Sequence, residues 1–156
     1  MKWGSEITAS QLAGDFVLPR NPKQKCIFIA GGIGVTPFRS MFKYLLDTRQ
    51  HRPVVLFYSV KTADEIVYKD VFDRAQKELG VKVFYTLTQT ESLPPGWTGK
   101  TGRITAKMIK AEVPDFHRCI FYLSGPDAMV ESFKDDLREL NVRRSQIKTD
   151  YFAGFG

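Results

Sequence analysis

The sequence predicts an α/β fold, in which a five-stranded parallel sheet carries helices on both faces. Short apolar runs recur along the chain, a turn containing glycine, serine or proline follows most of them, and an amphipathic segment with helical spacing comes next. Strands that alternate with helices form parallel sheets, and right-handed crossovers bring the carboxyl ends of all strands to one edge. We therefore expect any ligand at that edge.

Length and composition limit the possible functions. A chain of 156 residues with 43% hydrophobic content predicts one ordered domain. Its two cysteines, Cys26 and Cys119, lie in apolar runs, so we expect reduced intracellular core thiols and no iron–sulfur cluster or disulfide scaffold. The net charge is +6, but the basic residues are scattered and predict no nucleic-acid surface. No apolar run reaches about 18 residues, so we expect no transmembrane segment and a cytoplasmic location, or the cytoplasmic face of a membrane if the full-length protein has an anchor.

The predicted strands and the first two helices have local signals. Short runs rich in β-branched and aromatic residues predict strands over 26–30, 54–58, 81–87, 119–123 and 147–152. Thr36 is expected to cap the first helix, with Pro37 at its first position. Thr62 and Glu65 form a capping-box pattern for a second helix, which Gly80 should end.

The remaining segments complete the pattern. Two more helices are predicted, one from Thr105 through Ala111 and one beginning at Pro126. The stretch 89–103 is a long loop, a kind of segment that often carries function. Residues 5–18 contain two short β segments and look like the trailing edge of another domain, so we place a boundary after residue 19.

A glycine-rich turn follows the first strand. Gly31, Gly32 and Gly34 precede a predicted helix start, where free backbone N–H groups and the helix dipole favour a phosphate. A tight turn that needs positive φ at one glycine is the alternative, but strand, glycines and helix together favour a nucleotide site. A phosphate-binding NTPase is disfavoured, because the turn lacks the Gly-Lys-Ser/Thr ending.

A second turn, Ser124-Gly125-Pro126, ends the fourth strand. It is equally compatible with a ligand contact and with a plain turn before a helix that begins at proline. Neither His51 nor His117 belongs to a metal-binding pattern, and no Ser-His-Asp or Cys-His arrangement stands out. We therefore predict no metal site and no nucleophilic catalysis.

Several stretches, taken in order, resemble one family. They are IFIAGGIGVTPFRSM (27–41), FYSVKTADEI (57–66), GWTGKTGR (96–103), YLSGPDAMV (122–130) and IKTDYFAGF (147–155). Over residues 14–156 the chain resembles the carboxyl-terminal nucleotide-binding domain of the ferredoxin–NADP⁺ reductase superfamily. The resemblance implies a Rossmann-like sheet and the transfer of hydride from NAD(P)H to FAD or FMN.

The resemblance also implies roles by position. The implied cofactor-binding residues are Gly31, Gly32, Gly34, Thr36, Pro37, Ser59, Thr88, Gln89, Ser124, Gly125, Pro126, Asp127, Met129, Tyr151 and Phe152. The glycines and Thr36 would cradle the pyrophosphate, and Ser59 would lie by the adenosine ribose. The implied catalytic residues are Thr36 and Ser124 near the nicotinamide and Phe152, or Tyr151 in its place, against the flavin ring. Ser124 stands where the family often has cysteine.

A partner domain is a further implication of the resemblance. Residues 5–19 are similar to the last β segments of the family's flavin-binding barrel, but the flavin signature Arg-x-Tyr-Ser/Thr is absent. We therefore expect a barrel remnant over 1–19, an NAD(P)-binding domain over 20–156, and FAD on an upstream domain of the same full-length protein. The isolated chain should be inactive, and its redox acceptor is not identified. The alternative is a non-catalytic NAD(P)-binding sensor or docking module of a larger redox complex.

The preference between NADH and NADPH depends on charge at two strand ends. NADP-binding relatives often have Ser-Arg where this chain has Thr88-Gln89, and Gln89 brings no charge to meet a 2′-phosphate. Three basic residues could compensate, namely Lys61, Lys100 and Arg103. No acidic residue directly follows the second strand to repel the phosphate, and Asp64 is the nearest candidate. The balance leaves a small expected preference for NADH.

Overall fold

One parallel sheet organises the molecule. The computed structural model of the protein describes residues 14–152, apart from the side chains of Ser92 and Phe152. Within that range the strands are β1 (Cys26–Gly31), β2 (Val54–Val60), β3 (Lys82–Leu87), β4 (Lys100–Thr101), β5 (Ile120–Pro126) and β6 (Ile147–Phe152). They pair in parallel in the order β4-β3-β2-β1-β5-β6. The α/β class is confirmed, but the predicted count of five strands is one too low.

The additional strand, β4, lies inside the stretch predicted to be a loop. Lys100 and Thr101 pair with Thr86 and Leu87 of β3 at the edge of the sheet. A two-residue strand has no apolar pattern of its own. Its conformation comes from backbone pairing with a strand that is already present, so it has no local signal.

Helices cover both faces of the sheet, as predicted. They are α1 (Thr36–Asp47), α2 (Lys69–Leu79), α3 (Ala106–Glu112) and α4 (Asp127–Glu139). Phe42 of α1 and Phe72 of α2 are buried on one face, whereas Ile109 of α3 and Phe133 of α4 are buried on the other. Burial of each such side chain stabilises the fold by roughly 1.5–3 kcal/mol. None of the helices within residues 14–152 has the length and apolar character needed to cross a membrane.

The first helix begins differently from the prediction. A 3-10 turn over Gly32–Val35 precedes α1, and Val35 occupies the N-cap position. Thr36 is therefore the first helical residue and does not cap the helix, which corrects the prediction. Its Oγ1 instead donates to the carbonyl oxygen of Ile33 at 2.8 Å, because the 3-10 turn brings that carbonyl within reach.

The second helix starts later than predicted. Residues Ala63–Glu65 form a separate 3-10 turn. Tyr68, the N-cap of α2, has a left-handed conformation with a φ of 57°, so the helix begins only at Lys69. Thr62 makes no side-chain capping bond, so the capping-box prediction is wrong. The Glu65 carboxylate accepts a hydrogen bond from the backbone N–H of Lys61 at 3.0 Å instead.

Three other helix boundaries follow their local signals. Gly80 ends α2 with a φ of 70°, as predicted. The Thr105 side chain caps α3 by accepting from the backbone N–H of Met108 at 3.2 Å. Pro126 is the N-cap of α4, one residue before the first helical residue.

The described part of the amino-terminal segment packs on the α1 side of the sheet. The ring of Phe16 lies 5.6 Å from that of Phe38 and 5.2 Å from that of Tyr122. The Tyr122 hydroxyl donates to the carbonyl oxygen of Val17 at 2.6 Å. Residues 14–18 form no strand, so the β conformation predicted there is wrong: ring packing and this hydrogen bond hold them. Residues 5–13 lie outside the described range, and the boundary after residue 19 stays a prediction.

The two cysteines are buried on opposite faces of the sheet. Cys26 belongs to the core under α1 and α2, and Cys119 to the core under α3 and α4; both are free thiols. Burial raises the pKa of Cys26 to about 12 and that of Cys119 to about 11. Both thiols therefore remain protonated at neutral pH and behave as core residues.

Candidate functional site

A cavity lies where the strand order reverses. The chain proceeds outwards from β1 through β2, β3 and β4 and then returns to the other side of β1 as β5. Ligands of such sheets bind outside the carboxyl ends of the strands at this switch point. The cavity there measures about 430 Å³, within the range of roughly 300–1,000 Å³ found for small-molecule sites.

The strand ends, the turns that follow them and one face of α4 supply the walls of this cavity. The lining residues are Gly31, Gly32, Ser59, Val60, Lys61, Glu65, Thr88, Arg103, Ile104, Pro126, Ala128, Met129, Ser132, Phe133 and Asp136. Six of the predicted cofactor-binding residues are therefore brought together, namely Gly31, Gly32, Ser59, Thr88, Pro126 and Met129. In register, Ser59 of β2 stands between Gly31 of β1 and Thr86 of β3.

The glycines of the first turn serve two different purposes. A Cβ on the buried Gly34 would overlap the carbonyl group of Ser124 and come within 2.6 Å of the Cα of Gly125. Gly32, by contrast, is exposed, has a φ of 52° and has open space where a Cβ would stand. Gly34 therefore lets the 3-10 turn after β1 pack directly against the end of β5, whereas Gly32 leaves the backbone accessible to a ligand.

Met129 fills the space beside two glycines. A Cβ on Gly31 would overlap the Met129 sulfur, and a Cβ on Gly125 would approach its terminal methyl to 2.7 Å. The same Met129 lines the cavity. The Met129 side chain thus occupies the space where side chains at positions 31 and 125 would stand. It forms an adaptable apolar wall next to the strand ends.

The Ser124 hydroxyl is fully buried without a hydrogen-bond partner among the described residues. Its residue is 0% exposed and stands between Ala30 of β1 and Asp150 of β6. Unpartnered buried hydroxyls are uncommon because they lose the bonds they made with water. Ser124 does not itself line the cavity.

The three predicted catalytic residues share one edge of the sheet. Thr36 begins α1, Ser124 lies in β5, and the backbone of Phe152 in β6 pairs with that of Pro126. The hydroxyl of Thr36 is engaged with the turn before it. Neither Thr36 nor Ser124 lines the cavity, and the side chain of Phe152 lies outside the described part. Their catalytic roles stay predictions.

Tyr151, one of two candidates for a flavin-facing aromatic, is hydrogen-bonded to two side chains of α4. Its hydroxyl donates to Glu131 Oε1 at 2.7 Å and accepts from Lys134 Nζ at 3.1 Å. Hydrogen bonds from Lys134, the larger cause, and from Tyr151 hold the pKa of the Glu131 carboxyl below its usual value. The other predicted residues that do not line the cavity are Gly34, Pro37, Gln89, Gly125 and Asp127.

Opposite charges meet in the cavity. Lys61 and Arg103 line it together with Glu65 and Asp136, so charge is balanced there. Lys100, the third basic candidate, pairs with Glu112 at 2.6 Å outside the lining. Within the described residues, no group of three or more His, Cys, Asp or Glu side chains is arranged to hold a metal ion.

The acidic residue at the end of β2 is Glu65. The sequence analysis named Asp64 as the nearest acidic residue, but Asp64 does not line the cavity. The 3-10 turn after β2 folds the chain back, so that the Glu65 carboxylate reaches the backbone N–H of Lys61. Glu65 rather than Asp64 therefore lines the cavity, because a 3-10 turn occurs where the start of a helix was expected.

Other lining residues escaped the sequence analysis. Ser132 and Asp136 lie three and seven positions after Met129, with Phe133 between them, and share its face of α4. That helical spacing was the available signal, because a ligand-facing stripe continues from Met129 along the same face. Ile104 follows β4, which itself has no local signal.

Comparison with known proteins identifies the domain. A family model for the oxidoreductase NAD-binding domain matches residues 28–135. The chain belongs to this family. The finding confirms the resemblance to the ferredoxin–NADP⁺ reductase superfamily, and the cavity lies at the edge of the sheet where such a domain binds its nucleotide.

Individual relatives align with more of the chain than the family model does. A flavohemoprotein from Oceanobacillus iheyensis is 28% identical over 151 residues, which cover 96% of this chain and 36% of that protein. A component of the Na⁺-translocating NADH-quinone reductase from Methylococcus capsulatus is 31% identical over 159 residues, covering 99% of this chain and 39% of that component. A flavohemoglobin structure from Malassezia yamatoensis, with bound FAD and heme, superposes with a TM-score of 0.74 at 25% identity over 90% of this chain and 35% of that one. The chain thus spans less than two fifths of the length of these curated relatives.

Proposed function

We propose that the chain is the NAD(P)H-binding domain of a flavin-dependent oxidoreductase. It presents the nicotinamide to FAD held by an upstream domain of the same protein. We place that protein in the cytoplasm or at the cytoplasmic face of a membrane. The observation that carries the proposal is the cavity at the switch point, bounded by the open backbone of Gly32 and by polar side chains at the carboxyl end of β2 and in the turns after β2 and β3. Family membership supports it, as does the FAD in the flavohemoglobin relative.

Within this proposal the chain binds and orients the nucleotide. The backbone around Gly32 would hold the pyrophosphate, because Gly32 is exposed and none of the described residues comes within 4 Å of its Cβ position. Ser59 would bond the adenosine ribose, and Met129 would supply an apolar surface. The bound cofactors supply the hydride chemistry, whereas the protein supplies position and excludes water.

We further propose that this cavity prefers NADH to NADPH. The Glu65 carboxylate at the end of β2 can accept hydrogen bonds from ribose hydroxyls and would repel a 2′-phosphate. Its bond to the Lys61 N–H fixes it in place. Lys61 and Arg103 act in the opposite direction, and Gln89 does not line the cavity. We expect a preference for NADH of about tenfold, or about 1.4 kcal/mol.

Calorimetric titration of the chain with NADH and NADPH at one salt concentration tests the binding function. NADH should bind more tightly, and failure of both nucleotides to bind would overturn the proposal. The chain should be colourless and should not reduce ferricyanide with NADH.

Joining the chain to an upstream flavin domain separates the enzyme from its alternative. We expect NADH to bleach the flavin absorbance of the joined protein. Tight NADH binding without any bleaching would instead support the non-catalytic sensor or docking module. A screen of one-electron acceptors with the joined protein would identify the redox acceptor.

A further inference from the structure

One wall of the cavity belongs to the segment that contains the edge strand β4 and the residues after it. Residues 99–104, here named the strap, include β4 and continue past the edge of the sheet. Arg103 and Ile104 line the cavity from the strap, and neither lies in a helix or a strand. Their position must therefore come from contacts that the strap makes with other elements.

Thr86 anchors the strap from inside the sheet. Thr86 is 1% exposed, and its hydroxyl donates to the carbonyl oxygen of Gly102 at 2.6 Å. The N–H of Gly102 donates to the carbonyl oxygen of Leu87 at 2.8 Å. Gly102 has a φ of 81°, which glycine adopts without strain. Two hydrogen bonds therefore fix the turn at Gly102, and the next residue, Arg103, lines the cavity.

Glu112 anchors the strap from outside the sheet. Its carboxylate, at the end of α3, pairs with Lys100 Nζ at 2.6 Å, and both side chains are less than a third exposed. The Lys100 Nζ also lies 5.2 Å from the centre of the Phe84 ring. The indole N–H of Trp97 donates to the carbonyl oxygen of Lys100 at 3.2 Å. The strap is therefore held on two independent sides.

We propose that Thr86 and Glu112 are positioning residues that set the affinity of the cavity for the adenosine half of a nucleotide, which rests on the function proposed above. Valine would fill the same space as threonine, so packing alone does not explain why a hydroxyl group stands at position 86. The hydroxyl donates to the strap, and Thr86 is the direct register partner of Ser59. Without this bond Arg103 and Ile104 lose their fixed placement, and the nucleotide must order them when it binds.

The test compares Thr86→Val with a matched control. Calorimetry should show AMP and NADH binding about tenfold more weakly to Thr86→Val, the effect of losing one well-placed hydrogen bond. Thr86→Ser should restore both affinities, and nicotinamide mononucleotide should bind equally to all three proteins. The control is Thr48→Val, because Thr48 makes a similar bond to the carbonyl oxygen of Tyr44 at the far end of α1. It should lower the melting temperature without changing either affinity.

The outcomes separate this inference from the function on which it rests. Absence of AMP and NADH binding in the unchanged chain would overturn the proposed function. Binding by the unchanged chain and equal binding by folded Thr86→Val would overturn only the positioning role. If Thr86→Val does not fold, Glu112→Gln decides: a loss of AMP affinity of about threefold supports the role, and unchanged affinity overturns it.

Discussion

The two halves of the cavity edge are built by different means. At the junction where the 3-10 turn after β1 meets the end of β5, Gly34 brings the backbone against Ser124 and Gly125 with no space for a Cβ. At the ends of β2 and β3, side chains such as Ser59 and Glu65 form the wall. The junction is a contact between two backbones and needs one residue type. The polar wall depends on how the following turns fold, so several residue types could serve there.

The largest expected effect distinguishes the two glycines of the 3-10 turn after β1. Gly34→Ala should lower the free energy of unfolding by about 3 kcal/mol, because its methyl group overlaps the carbonyl group of Ser124. Gly32→Ala should cost about 1 kcal/mol, since only its left-handed φ of 52° opposes the new side chain. Urea denaturation measures both. Equal losses would show that the junction is not a close backbone contact.

This comparison also limits what a Gly34 variant can reveal. Loss of nucleotide binding in Gly34→Ala would follow from a displaced β5 and would not locate a phosphate. Gly32→Ala is the informative variant for binding, because it remains folded and places its methyl group in the open space beside the turn. Unchanged NADH affinity in Gly32→Ala would argue against a pyrophosphate at this turn.

The second effect concerns the side-chain wall. Glu65→Gln should reduce the preference for NADH over NADPH about tenfold, or about 1.4 kcal/mol, because the amide keeps a hydrogen-bond acceptor but loses the negative charge. Dissociation constants for both nucleotides measure the change. Asp64→Asn is the matched control, since it removes the same charge at equal size and Asp64 does not line the cavity. The same change in both variants would place the effect in the general charge of the turn.

The smallest expected effect sharpens the contrast within β5. Ser124→Ala should change the free energy of unfolding by less than about 0.5 kcal/mol or raise it, because the hydroxyl has no partner to lose among the residues described. Tyr122→Phe, two residues earlier, should cost about 1 kcal/mol through its bond to Val17. Thermal and urea unfolding measure both. A cost for Ser124→Ala equal to that of Tyr122→Phe would mean that Ser124 has a partner in the folded chain.

Much of the fold was predictable from local signals. The five longer strands, the four helices and the ends at Gly80 and Thr105 follow from apolar runs and caps, which act over a few residues. Six site residues were found because glycine turns and strand ends are visible in the sequence. β4 was not predictable, because Lys100 and Thr101 are extended only through pairing with β3.

The sequence by itself determined that a parallel sheet would gather its glycine turns at one edge, because hydrophobic periodicity and chain chirality leave little choice of topology. Only the tertiary structure decided which polar side chains meet there. Glu65 reaches the cavity because a 3-10 turn replaces a helix, and Arg103 reaches it because Thr86 holds Gly102. These contacts join residues whose approach depends on the fold of several elements at once, and spacing along the chain contains no signal for them.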